Sequence, residues 1–226
     1  MPNEARAIAE EKSAALRFAA THALSFTFLT RWLRSMEGRV VVGPISLISD
    51  VLARCEAMLL DSQVQFVVTH AHPLSQGKLP EQDYPFVQVG SDVLIPVSAP
   101  DDTGRPRHCL EDASASSPLQ QLTYSSESGI GRILRDVKGA ALEAVPAHSA
   151  LTAHLASVLR SMALDGSGMA WLPQTLIADD LASGRLVVAA SSDWHIDMEI
   201  RLYRSRHSLG EAGERFWAAA CGGPSP

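Results

Sequence analysis

The chain has 226 residues, is 46% hydrophobic, and carries 25 acidic against 19 basic residues for a formal net charge of −6. That length and apolar content allow a buried core in one domain or two small ones, and the acidic balance argues against the chain itself gripping nucleic acid, which takes a basic face. No basic leader with an apolar centre precedes the first predicted strand, and no apolar run approaches the roughly 18 residues of a membrane helix, so neither secretion nor membrane spanning is expected.

Residues 2–14 are charged and alanine-rich with little apolar stripe, and read as a helical stub. The stretch 16–20 alternates and reads as the first strand, followed by a turn at Thr21-His-Ala-Leu-Ser25. Phe28, Leu29, Trp32, Leu33 and Met36 then mark a helix face. A second strand is predicted at 38–42, then a loop through Pro44 and Ser46. A helix follows with Val51, Leu52, Cys55, Met58 and Leu59 on one face and Ser49 as its cap. Residues 64–68 form a third, continuously apolar strand, and strand–helix–strand–helix–strand is the pattern of a parallel sheet. The segment 70–85 is polar and proline-bearing, a surface loop, and the strands 86–89 and 92–95 are joined by Gly90-Ser91. Pro100-Asp-Asp-Thr-Gly-Arg-Pro106 and the serine-rich 112–118 then mark a domain boundary.

A second unit opens with a strand at 119–124 and a turn at 125–129 in which Ser128 caps the next helix. Ile130, Ile133, Leu134 and Val137 form its stripe, stopped by Gly139, and 142–145 reads as a short strand. Leu151, Leu155, Val158, Leu159 and Met162 fall at helical spacing, so an amphipathic helix is expected to start behind Ser149. Asp165-Gly-Ser-Gly168 breaks it, Met169-Ala-Trp-Leu172 is a buried strand, and Pro173 opens a helix ended by Gly184. Strands at 185–189 and 198–203, with a turn near 191–193, lead to a last helix at about 209–221 that buries Phe216 and Trp217. The expected organisation is a stub over 1–15, lobe I over 16–100 plus 190–226, and lobe II over 101–189, an α/β fold of two Rossmann-like lobes. The three widely spaced cysteines, Cys55, Cys109 and Cys221, suit free thiols in a reducing cytoplasm.

Met162-Ala-Leu-Asp-Gly-Ser-Gly-Met-Ala-Trp-Leu-Pro173, followed by Leu181-Ala-Ser-Gly-Arg-Leu-Val187, resembles the G-x-G-(apolar)-x-x-L-P … L-x-x-G-x-L-V stretch of LysR-type transcriptional regulators. Leu16-Arg-Phe-Ala-Ala-Thr-His22 resembles the first strand and pocket loop of their effector-binding domain, and Ile200-Arg-Leu-Tyr203 with Phe216-Trp217 its return strand and closing helix. The likeness runs from Leu16 to Ala219 in unbroken order. It implies a type 2 periplasmic-binding-protein fold, a small-molecule effector or an oxidant as input, a homodimer or tetramer, and a cytoplasmic location. Within the family, Thr21-His-Ala-Leu-Ser25, Leu94-Ile-Pro-Val-Ser-Ala-Pro100 and Gly168-Met-Ala-Trp-Leu-Pro173 look most like regulators that respond to hypochlorite through methionine oxidation. Thioether oxidation turns a pliable apolar side chain polar, and six methionines are available, none of them singled out. Full-length members carry a winged helix-turn-helix and a linker helix. Here Glu4 to Lys12 reads at most as the end of such a linker, so DNA is expected to be reached only through a helix-turn-helix not present in this chain. The rival reading is a transport solute-binding protein of the same fold, which needs export.

In such a fold a ligand sits where strand ends and helix N-termini face one another, and the N–H groups of a helix start suit an anion. Three groups fit. Thr21, His22 and Ser25 follow the first strand, where pocket lining competes with plain loop capping. Tyr124, Ser125 and Ser126 precede the second lobe's first helix, where turn chemistry alone also explains the serines. His148 and Ser149 stand at the predicted helix start, Ser149 as its cap. His70 ends a strand and reads equally as a cleft or a surface residue. The Asp165–Gly168 turn has the wrong order for a phosphate loop, since it follows a helix and precedes a strand. His70-Ala-His72 lacks partners at zinc-ligand spacing, and no G-x-S-x-G motif is present, so no metal, cofactor or catalysis is expected. Asp101-Asp102 and Asp179-Asp180 read as solvated, Met36, Met58 and Met162 as core filler. Cys109 reads as the one cysteine outside a core face, a weak redox candidate.

Overall fold

The computed structural model describes residues 16–41 and 43–222, which belong to two units. Unit 1 comprises Met1–Thr69, Gly77–Gly90 and Ile200–Pro226, and unit 2 comprises His70–Gln76 and Ser91–Glu199. The chain passes from one to the other four times, within the strands β3 (Phe66–Ala71), β4 (Phe86–Ser98) and β9 (Ile196–Arg204) and once in the loop between Gln76 and Gly77.

Unit 1 begins with β1 (Leu16–Thr21), α1 (His22–Thr27) and α2 (Leu29–Met36), continues through β2 (Ile45–Asp50) and α3 (Leu52–Leu60), and closes with α7 (Gly210–Cys221). Its strands lie in the order β2-β1-β3-β9-β4, with β1 parallel to both β2 and β3. Because side chains alternate along a strand, β1 buries two different faces. Leu16, Phe18 and Ala20 pack with Phe66, Ile200, Leu202 and Phe216, and the Phe18 ring stacks on Phe66 at 5.0 Å and meets Phe216 edge-on at 5.4 Å. Ala19 packs on the other face with Cys55, Leu59, Val67 and Tyr203. A strand covered on both sides needs apolar residues at every position, which Leu-Arg-Phe-Ala-Ala nearly supplies.

Unit 2 holds β5 (Leu119–Tyr124), α4 (Gly129–Glu143), β6 (Ala147–Ala153), α5 (Ala156–Leu164), β7 (Ala170–Pro173), α6 (Gln174–Ala182) and β8 (Val187–Val188). The second half of β4 pairs antiparallel with β7 and β8, and β5 pairs parallel with β6. Trp171, Leu94, Leu122, Ile133, Leu159 and Ile177 centre its core. Asp180, read from the sequence as solvated, is fully buried and ion-paired to Arg160 and Arg185. That pair ties α5 to α6, and the burial demands it, since a lone interior carboxylate is prohibitively desolvated.

Several elements differ from the sequence expectation. The second strand is Ile45–Asp50, whereas 38–40 form turn and bend. The Arg39 and Val40 N–H groups donate to the Met36 carbonyl, so these residues terminate α2. Thr21–Ser25 is no turn, because α1 starts at His22. Ser49 is a β2 residue and no helix cap; Asp50 instead accepts the Val51 N–H at 2.7 Å. β4 runs unbroken through Gly90-Ser91, where a Cβ on Gly90 would lie 2.7 Å from the Phe28 ring, so that glycine serves close packing. Gly139 does not stop α4, and Leu142 belongs to the helix. The largest difference is at Ser149, which lies in strand β6, while the helix starts seven residues later at Ala156 with Leu155 as an N-cap that makes no side-chain bond. Pairing with β5 over the whole of β6 overrides the helical spacing of the leucines there. The 185–189 strand shrinks to Val187–Val188. Ser128 does cap α4, accepting the Gly131 N–H, and Gly166 takes a φ of 74° in the predicted glycine turn. The stub predicted over 1–15 and the tail beyond Gly222 lie outside the described residues. Among the described residues no helix is long and apolar enough to cross a membrane.

Candidate functional site

In unit 1 the parallel register sets Thr21 beside Asp50 and Ala20 beside Ser49 at the C-terminal ends of β1 and β2. Chain reversal into α1 then brings His22 and Ser25 back over the strand ends. His22 Nδ1 lies 3.0 Å from Ser49 Oγ, and Ser25 Oγ lies 2.9 Å from the same hydroxyl while donating to the His22 carbonyl at 2.7 Å. Thr21 follows Ala19 in the two-residue period and so takes the face toward Cys55. Its Oγ1 is buried with no hydrogen-bond partner. A buried hydroxyl without a partner is uncommon and asks what completes it. The structure therefore gathers Thr21, His22 and Ser25 and adds Ser49, read from the sequence as a helix cap, and Asp50, to which the sequence reading gave no role.

The second group is divided in its roles. The Tyr124 hydroxyl donates to the Trp171 carbonyl at 2.9 Å in the core, and burial pushes its pKa well above that of a free phenol. Tyr124 thus holds β5 against β7. The Ser125 N–H donates to the Ala153 carbonyl, its Oγ is buried without a partner, and Ser126 is exposed ahead of α4.

The third group leaves the helix start it was assigned to. His148 and Ser149 are exposed on β6 opposite Gln120 and Gln121. A register shift between Gln121 and Leu122 skips Ala150, so Ser149 and Thr152 reach the same side despite their odd spacing. Both hydroxyls meet Thr123 Oγ1, at 2.8 and 2.7 Å respectively.

Other singled-out residues are accounted for by packing. His70 is buried, with Nε2 3.0 Å from Asp92 Oδ2. Asp92 also accepts the Thr175 hydroxyl at 2.6 Å, the Thr175 N–H at 3.1 Å and the Val93 N–H at 2.9 Å. Burial alone would raise this carboxyl, but the bonds from His70 and Thr175 and the charge of His70 outweigh it and hold Asp92 below its ordinary value. Pro173 precedes α6 and makes no side-chain cap bond, so Asp92 serves as a cap lent from β4. The sequence carries no local sign of this, because the partners are separated by 22 and 83 residues. Burial pushes the Cys55 thiol up to about 12. Cys109 is half-buried and donates to Glu111, burial again raising its pKa, whereas Cys221 is the exposed thiol. None has the lowered pKa of a reactive thiolate. Among the described residues no group of three or more His, Cys, Asp or Glu is arranged to hold a metal ion.

Charge is unevenly distributed along the chain. Unit 1 carries twelve basic and eleven acidic residues, and unit 2 seven basic and fourteen acidic.

Comparison with known proteins gives a consistent result. The chain is 30% identical over 143 residues to the HTH-type transcriptional regulator YjiE of Escherichia coli K12 and to the HTH domain-truncated transcriptional regulator QseD of Escherichia coli O157:H7. Each match covers 61% of this chain and respectively 44% and 54% of the relative, so the chain spans about half the length of these relatives. Its structure is similar to the regulatory domain of HypT from Salmonella typhimurium, with a TM-score of 0.76 at 24% identity over 92% of this chain and 94% of that one. Full-length HypT, a hypochlorite-specific LysR-type transcriptional regulator, gives 0.78 at 23% identity over 97% of this chain and 71% of that one. Vibrio fischeri DarR in complex with DNA gives 0.75 at 22% identity over 97% and 74%. These likenesses bear out the two-lobed, periplasmic-binding-protein-like α/β fold. The LysR substrate binding domain family matches residues 9–221, nearly the whole chain, and the protein belongs to that family.

Proposed function

We propose that the chain is the effector-sensing and oligomerisation part of a cytoplasmic LysR-type transcriptional regulator, binding a small molecule at the C-terminal ends of β1 and β2. The observation that carries this reading is the buried, unpartnered Thr21 hydroxyl beside the hydrogen-bonded His22, Ser25 and Ser49, in a domain whose family is named for substrate binding. The family match favours a regulator over the transport-protein alternative. A thermal-shift screen of small metabolites tests the reading: binders should raise the melting midpoint, and Thr21→Val should reduce the rise. If no compound shifts the wild type, the reading fails.

A homodimer accords with the outer strand of unit 1. Among the described residues β2 pairs on one side only, and Ile45, Leu47 and Ile48 are 37%, 39% and 41% exposed. An apolar edge strand left in water invites pairing. Light scattering should give about twice the 24.3 kDa chain mass, and Leu47→Asp should lower it; a wild-type monomer at micromolar concentration contradicts the dimer.

A second reading, response to an oxidant, is favoured by the likeness to hypochlorite-specific HypT. Met36, Met169 and Met198 are buried, so a sulfoxide there would put a polar group into a core. Mass spectrometry after hypochlorite treatment should find methionine sulfoxide together with a changed oligomer mass; oxidation with no change in assembly refutes it.

A further inference from the structure

The binding end of unit 1 carries a carboxylate where a site for anions would carry a cation. Building on the effector reading above, we propose that the effector is a primary amine whose ammonium group sits on Asp50 and Thr21. The two are register partners on parallel strands, so their side chains leave the sheet on the same face. Thr21 offers a buried hydroxyl with no partner. Asp50 is half-buried, spends Oδ1 on the Val51 N–H, and leaves Oδ2 without a hydrogen bond or ion pair among the described residues. A hydroxyl lone pair and a carboxylate oxygen side by side form an acceptor pair for N–H donors, and a charge-assisted bond to the carboxylate is the stronger kind.

Helix starts ordinarily argue for anions, and α3 starts here. Asp50 lies just before its N-cap Val51 and already places a negative charge near that N-terminus, so an incoming carboxylate would meet this charge as well as the dipole.

The test sets matched compounds against each other on the intact chain: ethanolamine, tyramine and histamine against glycolate, 4-hydroxyphenylacetate and imidazole-4-acetate. At about ten times its dissociation constant an amine should raise the melting midpoint by roughly 3–5 °C, and its carboxylate counterpart should not. Isothermal titration should show Asp50→Asn weakening the amine at least tenfold while improving the matching carboxylate. Thr21→Val, which keeps side-chain shape, should weaken the amine severalfold even if the Asp50 variant folds poorly. Binding of the carboxylates but not the amines overturns the amine assignment and leaves the effector reading standing. Amine binding indifferent to both substitutions also overturns it, and no response to either set overturns both readings.

Discussion

Replacing Asp92 with asparagine tests the most demanding polar arrangement in the molecule. The carboxylate is buried and accepts from His70, from the Thr175 hydroxyl and N–H, and from the Val93 N–H. Asparagine keeps one oxygen for the two N–H groups but turns an NH₂ toward His70 and the Thr175 hydroxyl. Two bonds to a charged carboxylate are lost, each with a net value of about 1.5–3 kcal/mol, and the buried His70 Nε2 is left facing an amide NH₂, so roughly 3–5 kcal/mol of destabilisation is expected. For a chain of this size that is a fall of about 6–20 °C in melting midpoint. The pH dependence identifies the cause. Asp92 in the fold titrates below its ordinary value, so the unfolded chain binds the proton more readily and stability rises with pH through that interval. The contribution is complete above the unfolded-state pKa of about 3.9 and is lost as pH falls through the folded-state value. Circular-dichroism melts of wild type and Asp92→Asn at pH 7, 5, 4 and 3 should therefore show the gap between them full at pH 7 and narrowing below about pH 4. A variant within about 0.5 kcal/mol of wild type at pH 7 refutes the role given to Asp92. So does a large gap that stays constant down to pH 3.

Three further outcomes are expected. Ser128→Ala removes the side-chain cap of α4 and should lower stability by about 1 kcal/mol in chemical denaturation, with Ser128→Asp recovering most of it. Gly168→Ala places a Cβ about 2.8 Å from the Gln120 carbonyl oxygen; backbone cannot swing aside as a flexible side chain does, so a loss of roughly 1–3 kcal/mol is expected in the same assay. Thiol titration at pH 8 should modify Cys221 readily and leave Cys55, whose pKa is about 12, untouched until the chain is unfolded.

What was legible in the sequence was whatever is decided within a few residues. β5 matches its predicted span of 119–124, and α7 and the buried strand before Pro173 fall within a residue or two of expectation. Each is bounded by a glycine, serine or proline acting through its own backbone. The Ser128 cap was likewise visible because a cap acts on an N–H three residues away. What failed depended on partners distant in sequence. The valines at 40–42 have strong β propensity, yet Ile45–Asp50 takes the place beside β1 because its register, Leu16 to Ile45 and Thr21 to Asp50, lets it pair along the full strand. Propensity marks what fits a sheet, and the sheet decides what is used.

The same distinction explains why only part of this residue group was named from the sequence. Thr21, His22 and Ser25 were named because they lie at or just after the end of β1 and need no partner to be placed. Ser49 was read as a cap, which is the local meaning of a serine before an apolar stripe, and Asp50 was given no role. Only the β1–β2 pairing gives them their other meaning, setting Ser49 against His22 and Ser25 and Asp50 against Thr21. Ser149 is the reverse case: a serine ahead of helically spaced leucines looked like a cap, and the strand pairing of β6 removed it from that role. The charge of the site therefore turns on strand register rather than on any motif. A reading limited to the β1 side sees hydroxyls and a helix start and expects an anion. Adding the register partner introduces a carboxylate with one oxygen uncommitted, and the preferred ligand changes sign.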